Sequence, residues 1–108
     1  MTKPEMQCIP VISKILSDGL IPCATGLCHP CHHRVALVIA PGQDFHFYRQ
    51  DADGMWSHKP GMTQATNVDA SGSPISNPET ADRHSPSGKI SYTDFCGYFC
   101  VYKPKVSI

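Results

Sequence analysis

Hydrophobic positions along the chain change their spacing at definite points, and each change marks an element. Residues 35–40, Val-Ala-Leu-Val-Ile-Ala, are apolar without a break and are closed by Pro41 and Gly42. A β-branched run of this kind predicts a central strand buried on both faces, because a half-exposed strand would alternate. Residues 44–50 do alternate, with Phe45, Phe47 and Arg49 on one side and Asp44, His46, Tyr48 and Gln50 on the other. Asp51-Ala-Asp-Gly is a hairpin turn signal, after which residues 55–59 return as the partner strand. A two-residue turn pairs Arg49 with His58, and a four-residue turn pairs Phe47 with His58. Either register sets Trp56 and His58 on the face of Phe45 and Phe47, and His46 and Tyr48 on the other face with Ser57. The two histidines of the hairpin are thus expected on opposite faces.

Before this centre, Pro10 is followed by Val11, Ile12, Ile15 and Leu16, a helical spacing, with Gly19 placed to end the helix. After it, residues 61–88 are rich in Pro, Gly, Ser, Asn and Asp and show neither period. A loop of that length is uncommon in a compact domain, so it is either a functional lid or a wandering, tied-down segment. Residues 92–102 close the chain as a last strand. Strict alternation there puts Cys96, Tyr98, Cys100 and Tyr102 on one face and Phe95, Phe99 and Val101 on the other. The expected fold is α+β: a small antiparallel sheet with a central hairpin, one short N-terminal helix, and a long irregular loop before the closing strand. One domain spans residues 1–108, divided into helix and Cys/His-rich loop (1–33), strand and hairpin (34–60), loop (61–90) and closing strand (91–108).

Length and charge narrow the partners. A chain of 108 residues can bury one modest core. Nine Lys and Arg balance nine Asp and Glu, with no basic run, which argues against nucleic acid and against an anionic membrane surface. The longest apolar run is far short of the ~20 residues that span a bilayer. No apolar segment follows the first lysine in the manner of a secretory signal, so the default expectation is a cytoplasmic location, with non-classical export left open. The sequence assigns no oligomeric state.

Six cysteines and six histidines carry the candidate chemistry. Cys23, Cys28 and Cys31, followed by His32 and His33, have the spacing with which a tight loop grips a tetrahedral ion, so zinc is the candidate cofactor and Cys23, Cys28, Cys31 and His33 the candidate ligands. A disulfide is the competing reading of the same loop. Cys96 and Cys100, some 13 Å apart on an extended strand by a rise of roughly 3.3 Å per residue, read first as small buried hydrophobes. Thiol catalysis instead needs an activated cysteine, a histidine and a group to orient it. Cys8, just ahead of the helix, is then the nucleophile, with Cys28 or Cys31 behind it; His58 is the base, and Asn67 or Asp69 the orienter. His33, opening a buried strand, offers a second base. His29, His32 and His84 read as surface residues.

Residues 35–61, Val-Ala-Leu-Val-Ile-Ala-Pro-Gly-x-Asp-Phe-His-Phe-Tyr-Arg-Gln-Asp-x-Asp-Gly-x-Trp-Ser-His-Lys-Pro-Gly, resemble a family of small microbial and viral proteins. The likeness continues through residues 66–69, Ser71 and Gly72, Ile75, Asn77 and Pro78, residues 81–83 and residues 92–101. Longer members of that family carry an upstream Asn-Cys-Tyr-x-Tyr-Ala-Leu block similar to the nucleophile helix of papain-like thiol hydrolases. The resemblance implies that His58 and Asn67 or Asp69 match a base and its orienter. This chain has no such block.

Two functions follow. The favoured one is a catalytically incomplete binding protein, stapled by zinc or by cysteine pairing, that acts by contact with a protein partner through the 61–88 loop and the aromatic hairpin face. The alternative is a papain-like thiol hydrolase or amidase built on Cys8, His58 and Asn67 or Asp69.

Overall fold

The computed structural model describes residues 5–23, 32–60, 64–85 and 88–102. One helix and five antiparallel strands form a small α+β fold, mostly sheet: α1 Cys8–Ser17, β1 Ile21–Pro22, β2 His32–Ala40, β3 Asp44–Gln50, β4 Trp56–Ser57 and β5 Asp94–Tyr102. The strand order is β1-β5-β2-β3-β4. As its sequence requires, β2 is central and its residues 35–40 are essentially inaccessible to solvent. Its alternate residues feed two cores, one on each face of the sheet.

The first core lies under α1. Val11 and Ile15 pack with Val35, Leu37, Ile39, Phe99 and Val101. Glycine ends the helix as expected: Gly19, at φ 103°, donates to the Leu16 carbonyl and Leu20 to the Ile15 carbonyl, each at 3.1 Å. This double bond to the last turn needs a left-handed residue, and it folds Leu20 back onto Ile15 and its neighbours.

No described helix covers the second core. Ala36, Val38, Ala40, Tyr48 and Trp56 are covered by Ile75, Tyr92, Ala81 and Ile90 from the long segment, which is a tied-down cover. Short bridges pin it to the sheet and to itself: Trp56 to Ile75, His58 to Thr66, Val68 to Pro74 and His84 to Ser91. Asp69 receives the N–H groups of Ser71, Ser73 and Asp82. Arg83 gives its guanidinium to the carbonyls of Pro78, Glu79, Tyr92 and Thr93. Backbone polar groups that no ladder satisfies are met in this way by side chains.

Two irregularities correct the faces read from strict alternation. Turn residues 52–54 form a three-residue loop between Asp51 and Met55, which are joined by a 2.8 Å bond, with Gly54 at φ 84°. Gln50 then pairs with Trp56 and Arg49 with Ser57. An odd loop shifts the register by one residue relative to either even turn, and a one-residue shift reverses every side chain of β4. His58 therefore stands on the face of His46 and Tyr48, not that of Phe45 and Phe47. In β5 the pairing slips between Leu37, opposite Gly97, and Val38, opposite Phe95. Gly97, at φ 126°, supplies the bulge. Cys96 is thereby turned onto the α1 face with Phe99 and Val101, while Phe95 joins Tyr98 on the other.

That turn of Cys96 corrects a further expectation. Cys96 is not a simple buried hydrophobe but is disulfide-bonded to Cys8, with their Cα atoms 5.4 Å apart, tying the first turn of α1 to the bulge. Cys100 is disulfide-bonded as well.

Candidate functional site

The three-residue turn builds the most concentrated group of titratable side chains in the described structure. His46 Nε2 and His58 Nδ1 lie 2.8 Å apart, and His58 Nε2 lies 3.0 Å from the Val68 carbonyl oxygen. A carbonyl only accepts, so His58 carries its proton on Nε2. Its Nδ1 is then the acceptor, and His46 must donate from Nε2. The chain of donors fixes both tautomers and leaves His46 Nδ1 as the remaining lone pair.

Aromatic rings hold the pair in place. Tyr48 stacks on His58 at 4.6 Å between centroids, and His46 meets Tyr48 edge-on at 5.2 Å and Tyr92 at 5.4 Å. The Tyr92 hydroxyl donates to Asp44 Oδ2 at 2.9 Å. Burial, aided by the neighbouring His58 and opposed by Asp44, lowers the His46 pKa from 6.5 to about 4. Burial also lowers that of His58, against the Val68 carbonyl and Asp69. Both imidazoles are neutral at pH 7. Burial raises the Tyr48 pKa to about 12, and burial with the bond to Asp44 raises that of Tyr92. Beside them opens a cleft of about 340 Å³ whose lining includes Asp44, His46, Tyr48, His58, Tyr92 and His84.

The residues proposed for thiol catalysis do not converge here. Cys8 packs on the α1 face, whereas His58 is on the opposite face, with the sheet between them. The Cys8 sulfur is held in the bond to Cys96, and a disulfide offers no thiolate. Asn67 receives the Ile75 N–H on its backbone carbonyl, and Asp69 is committed to its own turn. The group that orients His58 is the carbonyl of Val68, which stands between them. No side-chain pattern announces a backbone acceptor, so sequence reasoning could not single it out.

The zinc set is partly outside the described residues, where Cys28 and Cys31 lie. Cys23 is buried against β5, its N–H on the Tyr98 carbonyl, and His33 stands in β2 opposite Val101. Among the described residues no group of three or more His, Cys, Asp or Glu is placed to hold a metal ion. The partner of His58 that the sequence missed is His46. Allowing a three-residue turn at Gly54 would have found it.

No family model matches the chain, and no solved structure matches it. The chain is 48% identical over 94 residues to insoluble matrix shell protein 1 of Ruditapes philippinarum, a match that takes in 84% of this chain and 57% of that protein. It thus spans little more than half the length of that relative. Likeness to a shell matrix protein, together with disulfides that persist in oxidising surroundings, overturns the cytoplasmic location expected from the sequence.

Proposed function

We propose that the protein is a non-catalytic, disulfide-stapled module of an insoluble extracellular matrix, acting by contact with other matrix proteins. The observation that carries this reading is the likeness to the shell matrix protein. Cysteine pairing, rather than zinc, is the staple in this reading. A fold whose second core is covered by an irregular segment gains most from such cross-links, since they restrict the unfolded chain.

Charge separates protein contact from mineral binding. Nine basic residues balance nine acidic ones, so the chain has no acidic excess with which to coat a crystal. Several carboxylates are also engaged internally: Asp69 by three backbone N–H groups, Asp82 by Ser71 and His84, Asp44 by Tyr92 and Glu79 by Tyr98.

Partition tests the reading. Labelled, oxidised protein incubated with the insoluble organic residue of demineralised Ruditapes philippinarum shell, and separately with calcium carbonate, is expected on the organic residue. Retention by the mineral with none on the residue would overturn it.

A further inference from the structure

The cleft beside the histidine pair has a volume of about 340 Å³, within the range of roughly 300–1,000 Å³ usual for small-ligand sites. Its described lining includes neither lysine nor arginine. The Asp44 carboxylate brings a negative charge. His46 Nδ1 brings a lone pair that no described residue engages, because the bonds to His58 and on to Val68 force the His46 proton onto the other nitrogen. Tyr92 adds an aromatic ring, whose negative face attracts cations, while the Tyr48 ring is stacked on His58 and buried behind it. His84, also in the lining, is paired with Asp82, and the neighbouring Arg83 is occupied by four backbone carbonyls.

Acceptors, one negative charge and an aromatic wall, with no lysine or arginine among the described lining residues, describe a receptor that lacks its counter-charge. We propose that this cleft receives the ammonium group of a lysine side chain on a partner protein. The inference rests on the contact function above and names the chemistry of the contact. A lysine fits because its charge is compact, carries three donors and sits on a flexible apolar stem. The stem lies against Tyr92 and Ile90, and the ammonium reaches Asp44 and His46 Nδ1.

Magnetic resonance of the intact, oxidised protein tests this directly. Nα-acetyl-lysine methylamide added near pH 7 should shift the His46 and Tyr92 ring resonances saturably, with a Kd on the order of millimolar. The norleucine analogue, with the same stem and no charge, should leave them in place. Asp44→Asn keeps an acceptor for Tyr92 but removes the charge, and should weaken binding about tenfold or more. Equal shifts from both probes, or no saturation by the lysine probe in the unaltered protein, would overturn the proposal. The unaltered protein decides alone, so a poorly folded variant does not blur the result. Retention on shell residue without lysine binding would remove this inference only, whereas lysine binding without retention would remove the matrix function.

Discussion

His46 and His58 form a pair that can take one proton without breaking the hydrogen bond between them, but not two. A first proton on His46 Nδ1 leaves the Nε2–H bond to His58 intact. A second must go to His58 Nδ1, where it meets that donor head-on and breaks the link between sheet and cover. The folded His46 pKa, about 4, lies below its unfolded value of 6.5. Its neutral form therefore contributes stability that is complete above pH 6.5 and is lost as pH falls towards 4, because the unfolded chain binds more protons across that window. The loss amounts to about 3 kcal/mol for His46. Urea unfolding near pH 7 and near pH 4 should show it, and His46→Gln, which retains a donor for His58 but does not titrate, should flatten the dependence. An unfolding free energy unchanged between those conditions in the unaltered protein would contradict the burial of a neutral His46. Arg83 is the second residue on which the cover depends. Arg83→Met leaves four carbonyls without their donor and should cost roughly 3 kcal/mol, read as a fall in Tm that Arg83→Lys restores only in part.

At the scale of elements, what could be read from the chain was what period and turn chemistry encode. The buried strand needs only an apolar run, and the helix only Val11, Ile15 and a glycine past its end. Faces depend on an integer, the number of residues in a turn or bulge, and composition does not count them. Asp51-Ala-Asp-Gly is compatible with two, three or four loop residues; only pairing chooses three. Gly97 was visible as a glycine in a strand, but its bulge is fixed by the need to pair residues 32–39 of β2 with the longer stretch 94–102 of β5, which leaves Cys96 without an opposite residue. Deleting Ala52 leaves Asp53 and Gly54 as a two-residue turn closed by the same pair, Asp51 and Met55, so Gln50 should still meet Trp56 and His58 should stay beside His46. The His46 imidazole should then keep its lowered pKa, whereas a return towards its ordinary 6.5 in a pH series of its ring resonances would show that the register had slipped. The Cys8 to Cys96 bond spans 88 residues, and in the chain-entropy account replacing both cysteines by serine should cost about 4.6 kcal/mol. A double variant as stable as the parent, by denaturant unfolding, would show that α1 is held by packing alone.

For the whole molecule, the candidate site was legible only in part. His58 could be singled out by its aromatic neighbours, but its partners are a histidine set beside it by the turn and a carbonyl set beside it by the cover. Cysteine use was read against a reducing compartment, although the same six thiols suit an oxidising one equally well. Only structure and likeness to a matrix protein separate the two. For the matrix function proposed above, a disulfide-held sheet with a pinned cover is a durable form, since nothing refolds a protein outside the cell. Peptide mapping of the protein as its own cells make it, with thiols blocked at harvest, tests that claim most directly. The account predicts a Cys8–Cys96 cross-linked peptide in essentially every molecule. Recovery of Cys8 and Cys96 as separately alkylated thiols would contradict it.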